Sequence, residues 1–232
     1  MRWFYNSANQ FYMWDVTHLV TIITILSLYG AFYVFRHTLQ PYRNIIRITV
    51  GITLLASRIS LDIWYITTGT WNIHTSLPFE LCSIASIACA IMLLTRNRFL
   101  FETFYFIGIA GAIQAIVTPD LLFGFPQFRF IQFFTDHFLL ILAPLIMIWL
   151  YNYTITKWSI MKAFITINVI AIFVFIINTL TDANYMFLIQ KPTSASLLDV
   201  LGPYPYYLLA LEVIAIVIFI ILSLPFTYRS KQ

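Results

Sequence analysis

Seven stretches that are long, apolar and almost free of charge constrain this chain more than any other feature. They run 15–36, 44–67, 78–95, 99–118, 131–152, 158–180 and 206–226. A transmembrane helix needs about 20 mostly apolar residues to cross a hydrocarbon core of about 30 Å. Of the 232 residues only 9% are charged, whereas a soluble domain carries about 25%. The sequence therefore predicts an all-α, polytopic membrane helix bundle of about seven transmembrane helices, forming a single transmembrane domain over 1–232.

Two of these stretches are weaker candidates than the other five. The stretch 78–95 is short, and 99–118 contains Glu102, Gly108, Gly111 and Gln114. Glycine is frequent in transmembrane helices and permits close contact between them, so we retain both stretches as spans. The alternative is six spans with one re-entrant segment.

Basic residues are unevenly divided between alternate loops, nine in one set and three in the other, with Arg58 inside a span. The larger set is Arg36, Arg43, Arg47, Arg96, Arg98, Lys157, Lys162, Arg229 and Lys231, and the smaller set is Arg2, Arg129 and Lys191. Because cytoplasmic loops are enriched in Lys and Arg, this predicts an external N-terminus and a cytoplasmic C-terminus in a multi-pass protein of the cell membrane. No small-residue cleavage site follows a short apolar region, so we expect the first span to be retained.

The remaining composition argues against several other classes of protein. The formal charge of +4 is spread over short loops without a basic run, which does not favour a nucleic-acid partner. Cys82 and Cys89 share one helical stretch with their Cα atoms about 10 Å apart, beyond the limit of about 7 Å for a disulfide, so we predict two free thiols. There is no C-x-x-C, H-x-x-x-H or EF-hand spacing, so no metal or other cofactor is predicted. Nothing in the sequence indicates an oligomeric state.

Polar side chains within the spans gather near the face predicted to be external. Within about two to three helical turns of that face lie His18, Arg58, Asp62, Glu80, Asp136, His137 and Glu212, and Gln114, Asn178 and Tyr206 also fall near it. The cytoplasmic half of the spans has few polar groups beyond Asn168. Since a channel or proton-driven carrier needs polar groups across the membrane or a midplane site, this one-sided polarity predicts a pocket that opens outward.

The charged members of this layer have both structural and functional interpretations. Arg58 and Asp62 are four residues apart and share a helix face, so they form either a structural ion pair or a site for a lipid phosphate or carboxyl group. Glu80 is near enough to the surface to snorkel or to cap its helix. Glu212 lies deeper and either orients His137, accepts from Arg58 or is protonated and structural.

Cys82 and His137 form the one thiol–imidazole pairing at matched depth, apart from His18. A cysteine in an apolar helix is usually inert, and a buried histidine is often a neutral donor to a backbone carbonyl. A nucleophilic thiol, however, needs a base or a positive neighbour. Matched depth therefore predicts that His137 is the base for Cys82.

Five segments in order along the chain resemble the YwaF-type family of bacterial integral membrane proteins over about residues 15–226. They are Leu77-Pro78-Phe79-Glu80-Leu81-Cys82, Thr118-Pro119-Asp120, Phe128-Arg129-Phe130 with Asp136-His137, Asn184-Tyr185-Met186 with Lys191-Pro192, and Leu201-Gly202-Pro203-Tyr204-Pro205. That family is distantly similar to the eukaryotic transmembrane acyltransferase of ether lysophospholipids and, more remotely, to membrane hydrolases of branched fatty-acid esters. The resemblance implies an intramembrane nucleophile and histidine, at positions that match Cys82 and His137.

These observations predict an acyltransferase or acyl-ester hydrolase acting on outer-leaflet lipids or lysolipids. In this hypothesis Cys82 is the nucleophile, His137 is the base, Arg58 contacts the headgroup phosphate, and Asp136 or Glu212 orients the imidazole. The substrate-binding or orienting set is Arg58, Asp62, Glu80, Gln114, Asp136 and Glu212. The rival hypothesis is a non-catalytic transporter or binding protein for a lipid or small molecule, in which the buried charges are structural.

Overall fold

The computed structural model describes residues 10–192 and 197–227, so Arg2, Arg229 and Lys231 of the charge comparison lie outside the described residues. The described residues form seven α-helices: α1 (Val16–Val34), α2 (Arg43–Thr67), α3 (Leu81–Thr95), α4 (Arg98–Val117), α5 (Phe128–Tyr151), α6 (Lys157–Thr181) and α7 (Tyr206–Thr227). Three 3₁₀ turns, Gln40–Tyr42, Tyr185–Phe187 and Leu197–Leu201, lie in the connections. The described residues contain no β-strand, and the predicted all-α helix bundle is confirmed.

Successive helices run in alternate directions through the bundle. At the upper end, where α1 begins, the imidazole Nε2 of His18 lies 2.9 Å from the backbone oxygen of Ile116 near the end of α4. At the lower end, where α2 begins, the Arg47 guanidinium donates to the backbone oxygen of Leu94 at 3.0 Å, near the end of α3. The odd-numbered helices therefore begin at the upper end and the even-numbered helices begin at the lower end.

Six of the seven helices are long and apolar enough to cross a membrane, and α3 is shorter. With 15 residues, α3 measures about 22 Å. It begins at Leu81, not at residue 78 as predicted, because Glu80 has extended backbone angles at the N-cap position. The contact of Arg47 with Leu94 shows that α3 reaches the lower end, so the missing length lies at the upper end, in the segment 68–80. Over its 15 residues the helix runs in one direction and does not turn back.

The core of the bundle is formed by α4 and α5, more than half of which is buried. By contrast, only a small share of α1, α6 and α7 is buried, and their exposed side chains are predominantly Val, Leu, Ile and Phe. A helix that is apolar on all sides is suited to lipid on its outer face and to protein on its inner face. The bundle thus has a packed centre and a periphery compatible with hydrocarbon.

Local sequence signals fix several helix ends. The side chain of Asp15 accepts from the backbone N–H of His18 at 2.7 Å, and Asn97 caps α4 through the backbone N–H of Leu100 at 3.0 Å. A capping box joins Thr156 and Ser159 at the start of α6. These side chains satisfy backbone donors that the first helical turn leaves without partners.

Candidate functional site

A cavity of about 1280 Å³ is lined by residues of α2, α3, α4, α5, α6 and α7 and extends to the connections at the upper end. Seven of the eight predicted site residues line it: Arg58, Glu80, Cys82, Gln114, Asp136, His137 and Glu212. All of these residues except Glu80 lie within helices, at about 20 to 24 Å from the lower ends of those helices. The structure thus places these residues at a similar depth and around the same cavity.

Helix α5 provides the polar wall of the cavity through residues at helical spacing. Arg129, Gln132, Phe133, Asp136 and His137 all line the cavity. Their positions i, i+3, i+4, i+7 and i+8 lie on one face of a helix. The helical conformation of this segment therefore directs a guanidinium, an amide, a carboxylate and an imidazole towards the cavity.

His137 is held in one orientation by its own helix. Its Nδ1 lies 2.7 Å from the backbone oxygen of Phe133, and its ring packs against the Phe133 ring at a centroid distance of 4.3 Å. A backbone oxygen only accepts, so Nδ1 carries the proton and the lone pair is on Nε2. This is the tautomer that a general base needs.

Neither carboxylate that was predicted to orient the imidazole is the partner of Nδ1. Asp136 Oδ2 accepts from the Ser86 hydroxyl at 2.6 Å, and its buried Oδ1 has no hydrogen-bond partner. Glu212 Oε2 accepts from the side-chain amide of Asn168 at 3.1 Å. The carbonyl of Phe133 takes the orienting role because, four residues earlier on the same helix, it lies within reach of the ring.

Cys82 and Cys89 are both free thiols, as predicted, but their surroundings differ. Cys82 is half-buried and lines the cavity, whereas Cys89 is fully buried in the core. Gly111 of α4 approaches Cys82 so closely that a Cβ on this glycine would lie 3.7 Å from the sulfur. Only the first of the two thiols is therefore placed to react with a molecule in the cavity.

Arg58 is extensively bonded to the protein. The predicted ion pair with Asp62 is present, and the guanidinium also donates to the backbone oxygen of Ser76 at 2.9 Å and to the Ser83 hydroxyl at 3.4 Å. The side chain of Asp62 is 40% exposed and does not line the cavity. These bonds connect α2 to the segment before α3 and to α3 itself, next to Cys82.

Glu80 does not cap α3 through its side chain, contrary to the capping interpretation. Its Oε2 instead accepts from the backbone N–H of Met186 at 3.1 Å. Met186 has a φ of 58°, a conformation in which a non-glycine residue is uncommon. Glu80 thus attaches the segment after α6 to the start of α3, where both line the cavity.

Two other polar residues near the upper end have structural partners and lie outside the cavity lining. His18 is fully buried, accepts at Nδ1 from the backbone N–H of Trp14 at 3.1 Å, and contacts Ile116 through Nε2. Asn178 bonds both the backbone N–H and the backbone oxygen of Tyr185, each at 2.9 Å. His18 is therefore not the base for Cys82.

Arg129 is the most important site residue that sequence reasoning missed. We assigned it to a loop because it precedes the predicted span, but α5 begins at Phe128 and places Arg129 in its first turn. The guanidinium bonds the side chains of Gln132 and Tyr65 and lies 5.4 Å from the centroid of the Phe133 ring. The sequence signal for its helical position was that Arg129 lies between two apolar aromatic residues, Phe128 and Phe130.

A second polar cluster lies at the lower end, where we expected few polar groups. Glu102 of α4 is buried and pairs with Arg98 and with Lys162 of α6. The buried Arg47 of α2 bonds the Tyr151 hydroxyl at 3.2 Å. The expectation of few polar groups in the lower half was wrong, because the second turns of α2, α4 and α6 carry Arg47, Glu102 and Lys162.

Within 10–192 and 197–227, no group of three or more His, Cys, Asp and Glu side chains is placed to hold a metal ion. The fold and the cavity define a multi-pass membrane helix bundle with a polar site facing one end. The chain belongs to the TMEM164 family, whose model matches residues 8–223. No curated protein matches the chain, and neither does any solved structure.

Proposed function

We propose that this protein is an intramembrane acyltransferase that moves an acyl chain between outer-leaflet lipids through Cys82 and His137. The observation that carries the proposal is that the Cys82 thiol and the oriented His137 imidazole line the same cavity. The resemblance to the acyltransferase of ether lysophospholipids supports the same two residues. The predominance of basic residues at the lower end supports an upper end that faces outward.

The chemistry requires one proton acceptor and one nucleophile. Nε2 of His137 takes the thiol proton as the sulfur of Cys82 bonds to the carbonyl carbon of an acyl ester. The ester C–O bond then breaks, and the imidazolium returns its proton to the departing alkoxide. A hydroxyl group of a lysolipid attacks the resulting thioester by the reverse steps, releasing the thiol, and water in place of the lysolipid gives hydrolysis.

The shape of the cavity suits an amphipathic substrate. Its walls on α2, α3 and α5 carry most of the charged and polar groups. Its walls on α6 and α7 are mainly apolar apart from Asn168 and Glu212, with Ile172, Phe175, Leu211 and Ile218 among their residues. An acyl chain against α6 and α7 would place the ester group near the polar wall. Apolar surface buried in this way contributes roughly 25 cal/mol per Å².

The bonding of Arg58 supports the non-catalytic alternative, a lipid-binding or transport protein with a structural charge network. Its guanidinium connects α2 to Ser76 and Ser83, so its loss is expected to weaken the fold whatever the cavity binds. In that alternative Cys82 and His137 tolerate replacement.

The test is acylation of a labelled lysolipid by the purified protein in lipid vesicles. We expect Cys82→Ala and His137→Ala each to lose at least about 100-fold in rate, since a nucleophile and its base contribute on this scale. Cys89→Ala is the matched control, because it removes the buried thiol of the same helix and is expected to retain activity. Undiminished turnover in Cys82→Ala would exclude the mechanism.

A further inference from the structure

Among the described residues, no carboxylate forms an ion pair with Arg129. The described residues form three ion pairs, Arg58–Asp62, Arg98–Glu102 and Lys162–Glu102, and none includes Arg129. Its partners are the neutral side chains of Gln132 and Tyr65. A cation within a membrane bundle is costly unless it is paired, so this arrangement favours an anion from outside the chain.

Arg58 is the opposite case, although both arginines line the cavity. It is paired with Asp62, and it donates to Ser76 and Ser83. Binding an anion at Arg58 would compete with the carboxylate that already holds it. The cation available for a ligand is therefore Arg129, whereas the sequence hypothesis assigned the headgroup phosphate to Arg58.

Four carboxylates line the cavity, those of Glu80, Asp120, Asp136 and Glu212, and none of them forms an ion pair with Arg129. Asp136 accepts from Ser86, Glu80 from the backbone of Met186 and Glu212 from Asn168. Asp136 lies two turns further along the same helix face and contributes a longer-range attraction to Arg129 without forming an ion pair. The planar guanidinium, with Gln132 beside it, keeps the geometry that binds phosphate oxygens in pairs.

Arg129 is also next to the proposed reacting groups. Its guanidinium lies over the Phe133 ring, and the same ring packs against the His137 imidazole. A phosphate held by Arg129 would thus be separated from the imidazole by about the width of one aromatic side chain. In a glycerophospholipid, the phosphate and the ester groups are joined through the short glycerol backbone.

From this geometry we infer that Arg129 binds the phosphate of a lysophospholipid or phospholipid and selects phosphate-bearing lipids as substrates. This inference rests on the proposed function, because it takes the cavity to be the site of acyl transfer. What it adds is the residue that determines specificity for the substrate phosphate, which is Arg129 in place of Arg58.

The test measures binding without turnover, on Cys82→Ala protein in nanodiscs with radiolabelled lysophosphatidylglycerol and with monoacylglycerol as the phosphate-free analogue. Adding Arg129→Gln should weaken lysophosphatidylglycerol binding about tenfold or more, the range for a charge-assisted hydrogen bond, and leave monoacylglycerol binding unchanged. Arg129→Lys keeps the charge without the paired donors and should give an intermediate loss. It also serves as the test variant if the Gln protein does not fold.

Arg43→Gln is the matched control. Arg43 also lies over an aromatic ring, Tyr151 at 5.3 Å, but at the lower end and outside the cavity lining, so we expect unchanged binding of both lipids. Equal effects of Arg129→Gln on both lipids, or no effect on lysophosphatidylglycerol, would overturn the inference. Displacement of the lipid by millimolar inorganic phosphate would make free phosphate the ligand and overturn the lipid assignment. Because no turnover is measured, these outcomes are distinct from a failure of the Cys82 mechanism.

Discussion

Two glycines of α4 each face a cysteine sulfur of α3. The sulfur facing Gly111 belongs to Cys82, which lines the cavity, and the sulfur facing Gly108 belongs to Cys89, which is buried in the core. A Cβ at Gly111 would lie 3.7 Å from the sulfur of Cys82, and a Cβ at Gly108 would lie 3.7 Å from that of Cys89. Both distances are ordinary van der Waals contacts. Replacement by alanine should therefore fit at both positions and add a methyl group against the sulfur.

We expect Gly111→Ala to slow alkylation of Cys82 by a lipid-soluble maleimide several-fold, because the methyl group narrows the approach to the sulfur. Its free energy of unfolding should stay the same or rise by up to about 1 kcal/mol, since alanine favours the helix. Mass spectrometry of the labelled protein identifies the modified cysteine and its rate. Gly108→Ala is the control and should leave Cys82 labelling unchanged; equal rates in Gly111→Ala and the parent protein would contradict the prediction.

At the level of single residues, the sequence was informative where a residue type implies chemistry and uninformative where a partner decides the role. Depth and family resemblance selected Cys82 and His137, and both line the cavity. The role of Arg129 depends on having no carboxylate within ion-pair distance, and Glu80 bonds Met186, which is more than 100 residues away in the chain. No local pattern encodes either property.

At the level of helices, the lower-end cluster joins α4 to α6 through one buried carboxylate. The Glu102 side chain is 5% exposed, whereas Arg98 and Lys162 are 57% and 42% exposed. Removing a cation leaves a buried negative charge with one partner, but removing the carboxylate leaves two cations that reach solvent. The two changes are therefore not equivalent.

We expect Lys162→Met to lower the free energy of unfolding by about 1 to 2 kcal/mol more than Glu102→Gln does, because a buried charge that loses a partner retains its desolvation cost. Unfolding in detergent by denaturant, followed by circular dichroism, measures both variants. The neighbouring Lys157→Met serves as the control for loss of a cation on the same helix. A larger loss for Glu102→Gln would show that solvent reaches the carboxylate.

Helix positions were mostly predictable because a span of hydrocarbon dictates a minimum apolar length. The start of α3 was not, since Pro78 and Phe79 are apolar and extend the stretch although the backbone becomes helical only at Leu81. Conversely, α5 was predicted to begin at residue 131, after the charged Arg129, but it begins at Phe128 and includes Arg129 in its first turn. A charged residue in the first turn of a helix interrupts the apolar stretch in the sequence, although the helix itself continues through that residue.

At the level of the whole molecule, the charge distribution and the position of the cavity lead to one prediction. Seven of the described basic residues lie at the lower end: Arg36, Arg43, Arg47, Arg96, Arg98, Lys157 and Lys162. The upper end of the described chain has Arg58, Arg129 and Lys191. Because positively charged loops are retained in the cytoplasm, we expect the upper end, and with it the cavity, to face outward.

Single cysteines placed in a Cys82→Ser, Cys89→Ser background test this orientation. His74→Cys lies in the exposed segment between α2 and α3 at the upper end, and Thr38→Cys lies in the exposed connection at the lower end. A membrane-impermeant maleimide added to intact cells should label the first and not the second, and permeabilisation should make both reactive. Labelling of Thr38→Cys alone in intact cells would place the cavity in the cytoplasmic leaflet. The acyl donor and the lysolipid would then have to reach Cys82 from that side.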